Sequence, residues 1–259
     1  SDGVNSYSWD RANRLLEVDN GTPAELTAYA YDGLNNRIGQ AIGTSSPMVT
    51  QYLLDTQPGL TRVLAQTTGS NTNRFIHAPR GIHAMEDNAG NWTYALQDAL
   101  GSVRAEVDNT LAVLGIQHPA PYGNLFGQQG SIGIPFAFTG EMRDPITGLQ
   151  YHRARHYAPN LGVFPSLDPF EGLHSRPMSL NGYSWVEGNV VNALDPSGRQ
   201  SVCPSSDSPP PPNATEPRAC LFLNAAQRLN QRIFTNMSDE ALAAMVYRQV
   251  RSQGRWNRE

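Results

Sequence analysis

Residues 29–38 read Tyr-Ala-Tyr-Asp-Gly-Leu-Asn-Asn-Arg-Ile, and this stretch has a clear alternating pattern. Aromatic residues alternate with small ones, then aspartate, glycine and asparagine interrupt the alternation, and an arginine–aliphatic pair resumes it. A period of two predicts a half-buried strand, and the interrupting residue types favour a tight turn. The stretch therefore predicts two strands joined by a turn.

The pattern occurs twice. Residues 7–15 read Tyr-Ser-Trp-Asp-Arg-Ala-Asn-Arg-Leu, so that Asp10 stands 22 residues before Asp32 in the corresponding place. A single hairpin cannot bury one face by itself, and we therefore expect the first residues to be the end of a longer repeat array. Runs of β-branched and aromatic residues, separated by Gly, Asn, Asp or Pro, continue to about residue 165, which predicts an all-β chain over that length.

Composition narrows the function classes. The chain has 259 residues, enough for one or two domains, and its 23 glycines and 19 prolines agree with many turns. No apolar stretch is long enough to span a bilayer, and the net charge of −4 argues against a body that coats nucleic acid. Two cysteines, Cys203 and Cys220, cannot form a metal site or a disulfide framework, and their redox state stays open.

The composition changes after residues 195–198, Asp-Pro-Ser-Gly. Residues 199–217 are rich in serine and proline, which predicts an extended linker. Residues 218–259 carry an apolar period typical of helices, predicting a short helical extension with seven arginines against three acidic residues. That charge fits an anionic partner, whereas a solvated helical face explains it equally well.

Ten segments carry a resemblance to a known family. The chain resembles the Rhs/YD-repeat family, and specifically its Rhs repeat-associated core, because these segments occur in the family's order. They are Tyr31–Ile38, Tyr52–Leu64, Asp98–Arg104, Pro121–Asn124, Phe138–Gly140, Asp144–Leu149, Tyr151–Tyr157, Gly162–Pro169, Asn181–Tyr183 and Asp195–Gly198.

The resemblance implies a fold and a function. The implied fold is a YD-repeat β-shell whose end is closed by the core, with terminal repeats at 1–50 and the core at 51–198. The implied function is that of a polymorphic toxin, in which the shell encapsulates a C-terminal polypeptide. The partners are then its own C-terminal cargo, the rest of a longer YD-repeat chain, and a secretion apparatus or cell-surface protein. A secreted or cell-surface location in bacteria is expected, with the signal outside this chain.

The resemblance also implies a site. In several bacterial members two aspartates release the cargo as a self-cleaving aspartyl peptidase, and the matching residues here are Asp168 and Asp195. The expected cut lies between Gly198 and Arg199. The chemistry stands without the family, because two carboxyl groups about 3 Å apart share a proton and can act as general acid and general base. Arg153 and Arg155, on a predicted strand over residues 151–157, are candidates for polarising the scissile carbonyl or lowering the pKa of one carboxyl.

An alternative from another class stays open. Asp-Pro is a common turn opener whose aspartate caps its own backbone, and Arg199 stands where many cleaving relatives carry leucine or tryptophan. A non-enzymatic cell-surface or filament-forming β protein with an uncleaved docking tail therefore fits the same sequence. Neither reading requires a metal or a cofactor, since the histidines His77, His83 and His118 lack carboxylate or cysteine partners at ligand spacing.

Overall fold

Twelve antiparallel strands follow one another in chain order across one large sheet of the computed structural model, which describes residues 3–57, 59–78, 81–174, 177–199, 201 and 202. Each strand is hydrogen-bonded to the next one along the chain, as expected for hairpins linked in series. The strands are β1 (Ser6–Trp9), β2 (Leu15–Asp19), β3 (Thr27–Tyr31), β4 (Arg37–Ile42), β5 (Met48–Asp55), β6 (Arg62–Thr68), β7 (Asn71–Ala78), β8 (Gly81–Glu86), β9 (Trp92–Gln97), β10 (Val103–Asp108), β11 (Val113–Pro119) and β12 (Leu125–Gly130).

A second, smaller sheet follows within residues 134–202, which we call the small-sheet region. Its three antiparallel strands are β13 (Met142–Arg143), β14 (Gln150–His152) and β15 (Arg155–Tyr157). Single turns of 3-10 helix occur at Phe138–Gly140, Pro177–Leu180 and Val186–Gly188. Over the described ranges the protein contains no α-helix, and no helix there is long and apolar enough to cross a membrane.

One turn geometry closes five of the hairpins. In each, the aspartate Oδ1 accepts hydrogen bonds from the amides two and four residues later, as in Asp32 with Leu34 and Asn36, both at 2.8 Å. The residue three positions after the aspartate lies in the left-handed region. A short side chain that satisfies two amides makes this turn self-contained. The five aspartates are Asp10, Asp32, Asp87, Asp98 and Asp108.

The small-sheet region packs against one face of the large sheet. Strand β10 shows why, because Val103 on this strand is fully buried and belongs to a cluster in which large-sheet residues meet Phe136 and Met142 of the small-sheet region. The buried carboxylate of Glu106 accepts hydrogen bonds from the amides that open the small-sheet region, so this charge is satisfied.

Arg37 contacts residues of both sheets. Its side chain is 2% exposed, and its guanidinium carbon lies 4.4 to 5.6 Å from the ring centroids of Tyr29, Tyr52 and Tyr151. The Arg37 amide donates to the Tyr151 hydroxyl at 2.9 Å. Three aromatic faces stabilise a cation that burial would otherwise disfavour, so the arginine of the repeat pattern also anchors the small sheet.

These observations settle several expectations. The all-β prediction is confirmed for the described residues, whereas the strand predicted over 151–157 is wrong, because the chain turns at residues 153–154 and forms the β14–β15 hairpin. A turn there is compatible with the alternating sequence because both arms stay buried. The linker beyond residue 202 and the helical extension at 218–259 lie outside the described residues, and the boundaries at 50 and 198 stay predictions.

Burial at β10 generates the first prediction. We expect Val103→Ala to lower the free energy of unfolding by about 2 kcal/mol, because two methyl groups are removed from a fully packed position. Val113→Ala on the adjacent strand is the matched control, since Val113 is 45% exposed and its truncation is worth about 0.5 kcal/mol or less. Urea unfolding with unchanged m-values measures both, and equal losses would contradict the burial described here.

Candidate functional site

The β14–β15 hairpin carries two arginines, one within its turn and one at the start of β15. Arg153 occupies the turn with a φ of 56°, a conformation that non-glycine side chains seldom adopt. Arg155 opens β15 and is 3% exposed, with its guanidinium carbon 3.6 Å from the centroid of the Phe164 ring. Stacking on an aromatic face fixes the plane of a guanidinium, so the five N–H groups of Arg155 point in set directions.

Asp168 reaches this hairpin from a loop. The segment before it pairs with residues 182–184, since the Phe164 amide donates to the Tyr183 carbonyl and the Asp168 amide to the Gly182 carbonyl. The Asp168 Oδ1 atom accepts a hydrogen bond from the Phe170 amide at 2.8 Å. This local turn leaves Oδ2 directed towards Arg155.

Asp195 opens a turn of the same kind as the five hairpin turns. Its Oδ1 accepts hydrogen bonds from the Ser197 hydroxyl at 3.1 Å and from the Arg199 amide at 3.0 Å. Gly198, three positions after the aspartate, has a φ of 68°. The difference from the hairpin turns is burial, because Asp195 is 3% exposed and its second carboxylate oxygen faces Arg155.

Arg155 joins the two aspartates. Its Nη2 lies 2.6 Å from Asp168 Oδ2 and 3.2 Å from Asp195 Oδ2, so the two oxygens are separated by no more than the sum of those distances. The structure thus brings together residues that are 27 positions apart in the sequence. They meet through a shared arginine between two loops.

Burial governs the protonation of this cluster. Desolvation raises the pKa of Asp168 above its ordinary value, Arg155 opposes that rise, and the neighbouring Asp195 adds to it. Burial also lowers the pKa of Arg155, and both carboxylates oppose that change. A carboxyl group whose pKa lies above its usual range holds a proton more readily, which favours its use as a general acid.

The expected scissile bond lies inside the cluster. The Arg155 Nε donates a hydrogen bond to the Gly198 carbonyl, and the Arg199 amide donates to Asp195 Oδ1. The carbonyl oxygen and the amide nitrogen of the Gly198–Arg199 peptide group therefore contact residues singled out from the sequence. An arginine donor on a carbonyl oxygen stabilises the negative charge that develops there during nucleophilic attack.

Arg153 is placed differently from the expectation. Its Nη1 contacts Glu141 Oε2 and the Pro196 carbonyl, each at 2.6 Å, and its Nε donates to the Thr61 carbonyl at 3.1 Å. The scissile carbonyl is held by Arg155, whereas Arg153 holds the residue after Asp195. Sequence reasoning missed Glu141, although its position directly after the Phe138–Gly140 motif offered a signal.

His152 is a second residue that the sequence did not single out. Its Nδ1 donates a hydrogen bond to the Asp195 carbonyl at 2.7 Å, while the buried Nε2 has no hydrogen-bond partner among the described residues. A ring of aromatic side chains surrounds it, and burial lowers its pKa to about 3. The imidazole is therefore neutral at physiological pH and carries its proton on Nδ1.

A cavity of about 820 Å³ lies behind the Asp195 turn, between the small-sheet region and the large sheet. Glu141, Arg153, Leu194, Pro196 and Val202 are among the residues that line it. The described residues contain no cluster of three or more histidine, cysteine, aspartate or glutamate side chains that could hold a metal ion. The charged groups that the structure brings together at this site are carboxyl and guanidinium groups.

Comparisons with known proteins agree with this fold. The family model of the teneurin YD-shell matches residues 1–191. The chain is 29% identical over 204 residues to the tRNA nuclease WapA of Bacillus subtilis strain 168, and 28% identical over 213 residues to the probable deoxyribonuclease RhsA of Dickeya dadantii strain 3937. These matches cover 76% and 77% of this chain but only 8% and 14% of the relatives.

Solved structures show the same fold. The crystal structure of TcdB2-TccC3-Cdc42 superposes with a TM-score of 0.59 and 21% sequence identity, over 76% of this chain and 10% of that one. The crystal structure of TcdB2-TccC3 gives a TM-score of 0.58, also at 21% identity, over 75% of this chain and 10% of that one. At this identity the likeness establishes the fold.

His152 gives a pH prediction. Its pKa falls from 6.5 in the unfolded chain to about 3 in the folded one. Between these values the unfolded chain binds the proton more readily, so the free energy of unfolding decreases as pH falls from 6.5 to 3, by up to about 1.4 kcal/mol per pH unit. We expect His152→Gln, whose amide can still donate to the Asp195 carbonyl, to show a shallower loss between pH 6.5 and 3. Thermal unfolding at several pH values measures this. The carboxyl groups with raised pKa contribute with the opposite sign but are common to both proteins, so identical slopes would contradict the prediction.

Gly198 gives a steric prediction. An added Cβ would collide with the His152 carbonyl and the Arg155 amide, and the positive φ adds strain. We expect Gly198→Ala to destabilise the protein by roughly 2 kcal/mol more than Gly188→Ala. Gly188 is the matched control because it has a φ of 81° and no atom within 4 Å of its ideal Cβ. Equal effects in urea unfolding would show that the 198 position is not closely packed.

Proposed function

The chain belongs to the teneurin YD-shell family, and from that premise we propose that it is the shell-closing core of a YD-repeat toxin that cuts its own Gly198–Arg199 bond. Asp168, Asp195 and Arg155 would act in cis, as an aspartyl peptidase, and release the chain from Arg199 onward. The observation that carries the proposal is the contact of Arg155 with the carbonyl oxygen, and of Asp195 with the amide nitrogen, of that one peptide group.

Each group has a distinct place in the reaction. Water attacks the Gly198 carbonyl carbon, the carboxyl pair takes one proton from it, and the Arg155 guanidinium stabilises the oxyanion. The C–N bond then breaks, and the pair returns the proton to the Arg199 nitrogen, which lies against Asp195. The first products are a Gly198 carboxylic acid and a neutral Arg199 amine, which exchange a proton to give a carboxylate and an ammonium, and the carboxyl pair is regenerated. The raised pKa of Asp168 supports a proton held within the pair at the start.

The cavity behind the turn supports encapsulation. Leu194 and Val202 pair as an antiparallel bridge, with backbone hydrogen bonds of 2.8 and 2.6 Å, and both line the cavity. Val202, which follows the expected cut, therefore lies against this cavity. In a longer YD-repeat protein the released polypeptide would enter the interior of the shell. The large unmatched remainder of the WapA and RhsA relatives fits such a longer chain.

The biological setting follows the same premise. The relatives WapA and RhsA are a tRNA nuclease and a probable deoxyribonuclease, which makes the function of a polymorphic toxin the favoured one. We propose a secreted or cell-surface location and, as partners, the enclosed C-terminal polypeptide and further chain of the same repeat protein. A secretion-apparatus or cell-surface partner would complete delivery.

One observation favours a second candidate function. The Asp195 turn shares the hydrogen bond from the amide four residues later, and its left-handed third residue, with five hairpin turns that lie elsewhere. The same geometry therefore suits a purely structural aspartate. Under that reading the protein is a non-enzymatic YD-repeat shell, used in adhesion or as a structural element, and its tail stays attached.

Intact mass distinguishes the two functions. We expect the purified chain, tagged at both ends, to separate into fragments that meet between Gly198 and Arg199, and the Asp168→Asn, Asp195→Asn double variant to stay whole. The matched control is Asp87→Asn, which makes the same substitution in a hairpin turn whose aspartate does not pair with Arg155, and which should cut like the wild type. If the wild type and the double variant both remain intact across pH 4 to 8, the peptidase is overturned and the structural shell is the function.

A further inference from the structure

Arg153 forms a chain of contacts that ends at the Asp195 turn. One of its nitrogens, Nη1, bridges the Glu141 carboxylate and the Pro196 carbonyl, and its Nε holds the Thr61 carbonyl. Thr61 lies directly before β6 of the large sheet, and Glu141 directly before β13 of the small sheet. Three separate parts of the fold thus meet at one guanidinium.

Glu141 is the one acidic residue in that chain. It is 7% exposed, and burial raises the pKa of its carboxyl, whereas Arg153 opposes the rise and the nearby Asp195 adds to it. Removing Glu141 would leave the Arg153 guanidinium without a carboxylate in ion-pair contact among the described residues. A buried cation without its partner is drawn to other carboxylates or to water in the cavity, and its hold on Pro196 weakens.

The hydrogen bond from Arg153 to the Pro196 carbonyl is important because of the position of Pro196 in the turn. Proline has no N–H, so of its backbone polar groups only the carbonyl can be held from outside. That carbonyl follows Asp195 directly and precedes the turn residues that end at the Gly198–Arg199 bond. Fixing it sets the orientation of the whole turn and, with it, of the Asp195 carboxylate. Displacements of about 1 Å in such a group are enough to slow a reaction by large factors.

We propose that Glu141 is a positioning residue, which acts through Arg153 to hold the Asp195–Gly198 turn in register with Arg155. The inference rests on the proposed function for its effect on cleavage, but the positioning itself is a property of the folded chain. Glu141 touches none of the atoms of the scissile bond. Replacing Glu141 is therefore expected to change the geometry of the turn, and not to supply or remove a proton in the reaction.

The first measurement does not need cleavage. Amide hydrogen exchange is followed in an Asp168→Asn background, in which the 198–199 bond stays intact under either function. We expect Glu141→Ala to speed exchange roughly tenfold at the Arg199 amide, which donates to Asp195, and at the Ala154 amide, which donates to the Ser197 carbonyl. The Asn91 amide, bonded to Asp87 in an equivalent turn, should keep its rate.

Two control variants sharpen the result. Glu86→Ala also removes a glutamate from an arginine pair, with a separation of 2.9 Å to Arg74, and should leave the Arg199 amide unchanged. Glu141→Gln keeps an acceptor for Arg153 and should restore much of the protection. Faster exchange at Asn91 and Arg199 together in Glu141→Ala would indicate general destabilisation, and unchanged rates at Arg199 would indicate no effect. Either result overturns the positioning role.

The second measurement uses the cleaving chain. With Asp168 present, we expect Glu141→Ala to reduce the first-order rate of self-cleavage at least tenfold, Glu141→Gln to lose less, and Glu86→Ala to match the wild type. A wild-type rate in Glu141→Ala would overturn the inference while leaving the peptidase intact. If the wild type does not cut at all, the proposed function fails, and the exchange data alone decide whether Glu141 positions the turn.

Discussion

The aspartate-closed turn is the constraint on which the rest of the structure depends. In five hairpins one carboxylate oxygen accepts two amides, and the residue three positions later takes a left-handed conformation. Because the turn satisfies its own backbone, it needs no support from the core and can be repeated. A series of such hairpins gives a sheet whose strands follow chain order. That sheet then offers one buried face to the small-sheet region.

The candidate site is a modified copy of the same turn. At Asp195 one carboxylate oxygen accepts the amide four residues later, as at Asp32, while the other oxygen pairs with Arg155. The two aspartates differ in burial, since Asp32 is half-buried and Asp195 is 3% exposed. The same local turn thus occurs in the repeated hairpins and, at Asp195, beside a buried arginine and a second carboxylate.

Arginine organises each level of this protein, and the sequence contains no lysine. Arg37 joins the large sheet to the small one through three tyrosine rings. Arg155 uses all three of its nitrogens, on Asp168 and Asp195, on Gly182 and on Gly198. A planar group with five fixed donors can hold several acceptors at once, which a lysine ammonium on a flexible stem does less well.

Sequence alone determined the local structure of this protein. The alternation around Tyr31 and the turn residues after Asp32 predict hairpins, because their causes lie within a few residues. The motif order also indicated which two aspartates to compare. Only the tertiary structure decided how they meet, since contacts across 27 or 40 residues depend on how loops fold over a sheet. In the structure the predicted strand over 151–157 is a hairpin. Arg155 pairs with the two aspartates, Arg153 pairs with Glu141, and His152 donates to the Asp195 carbonyl. Long-range contacts of this kind are set by packing and burial, which no short stretch of sequence contains.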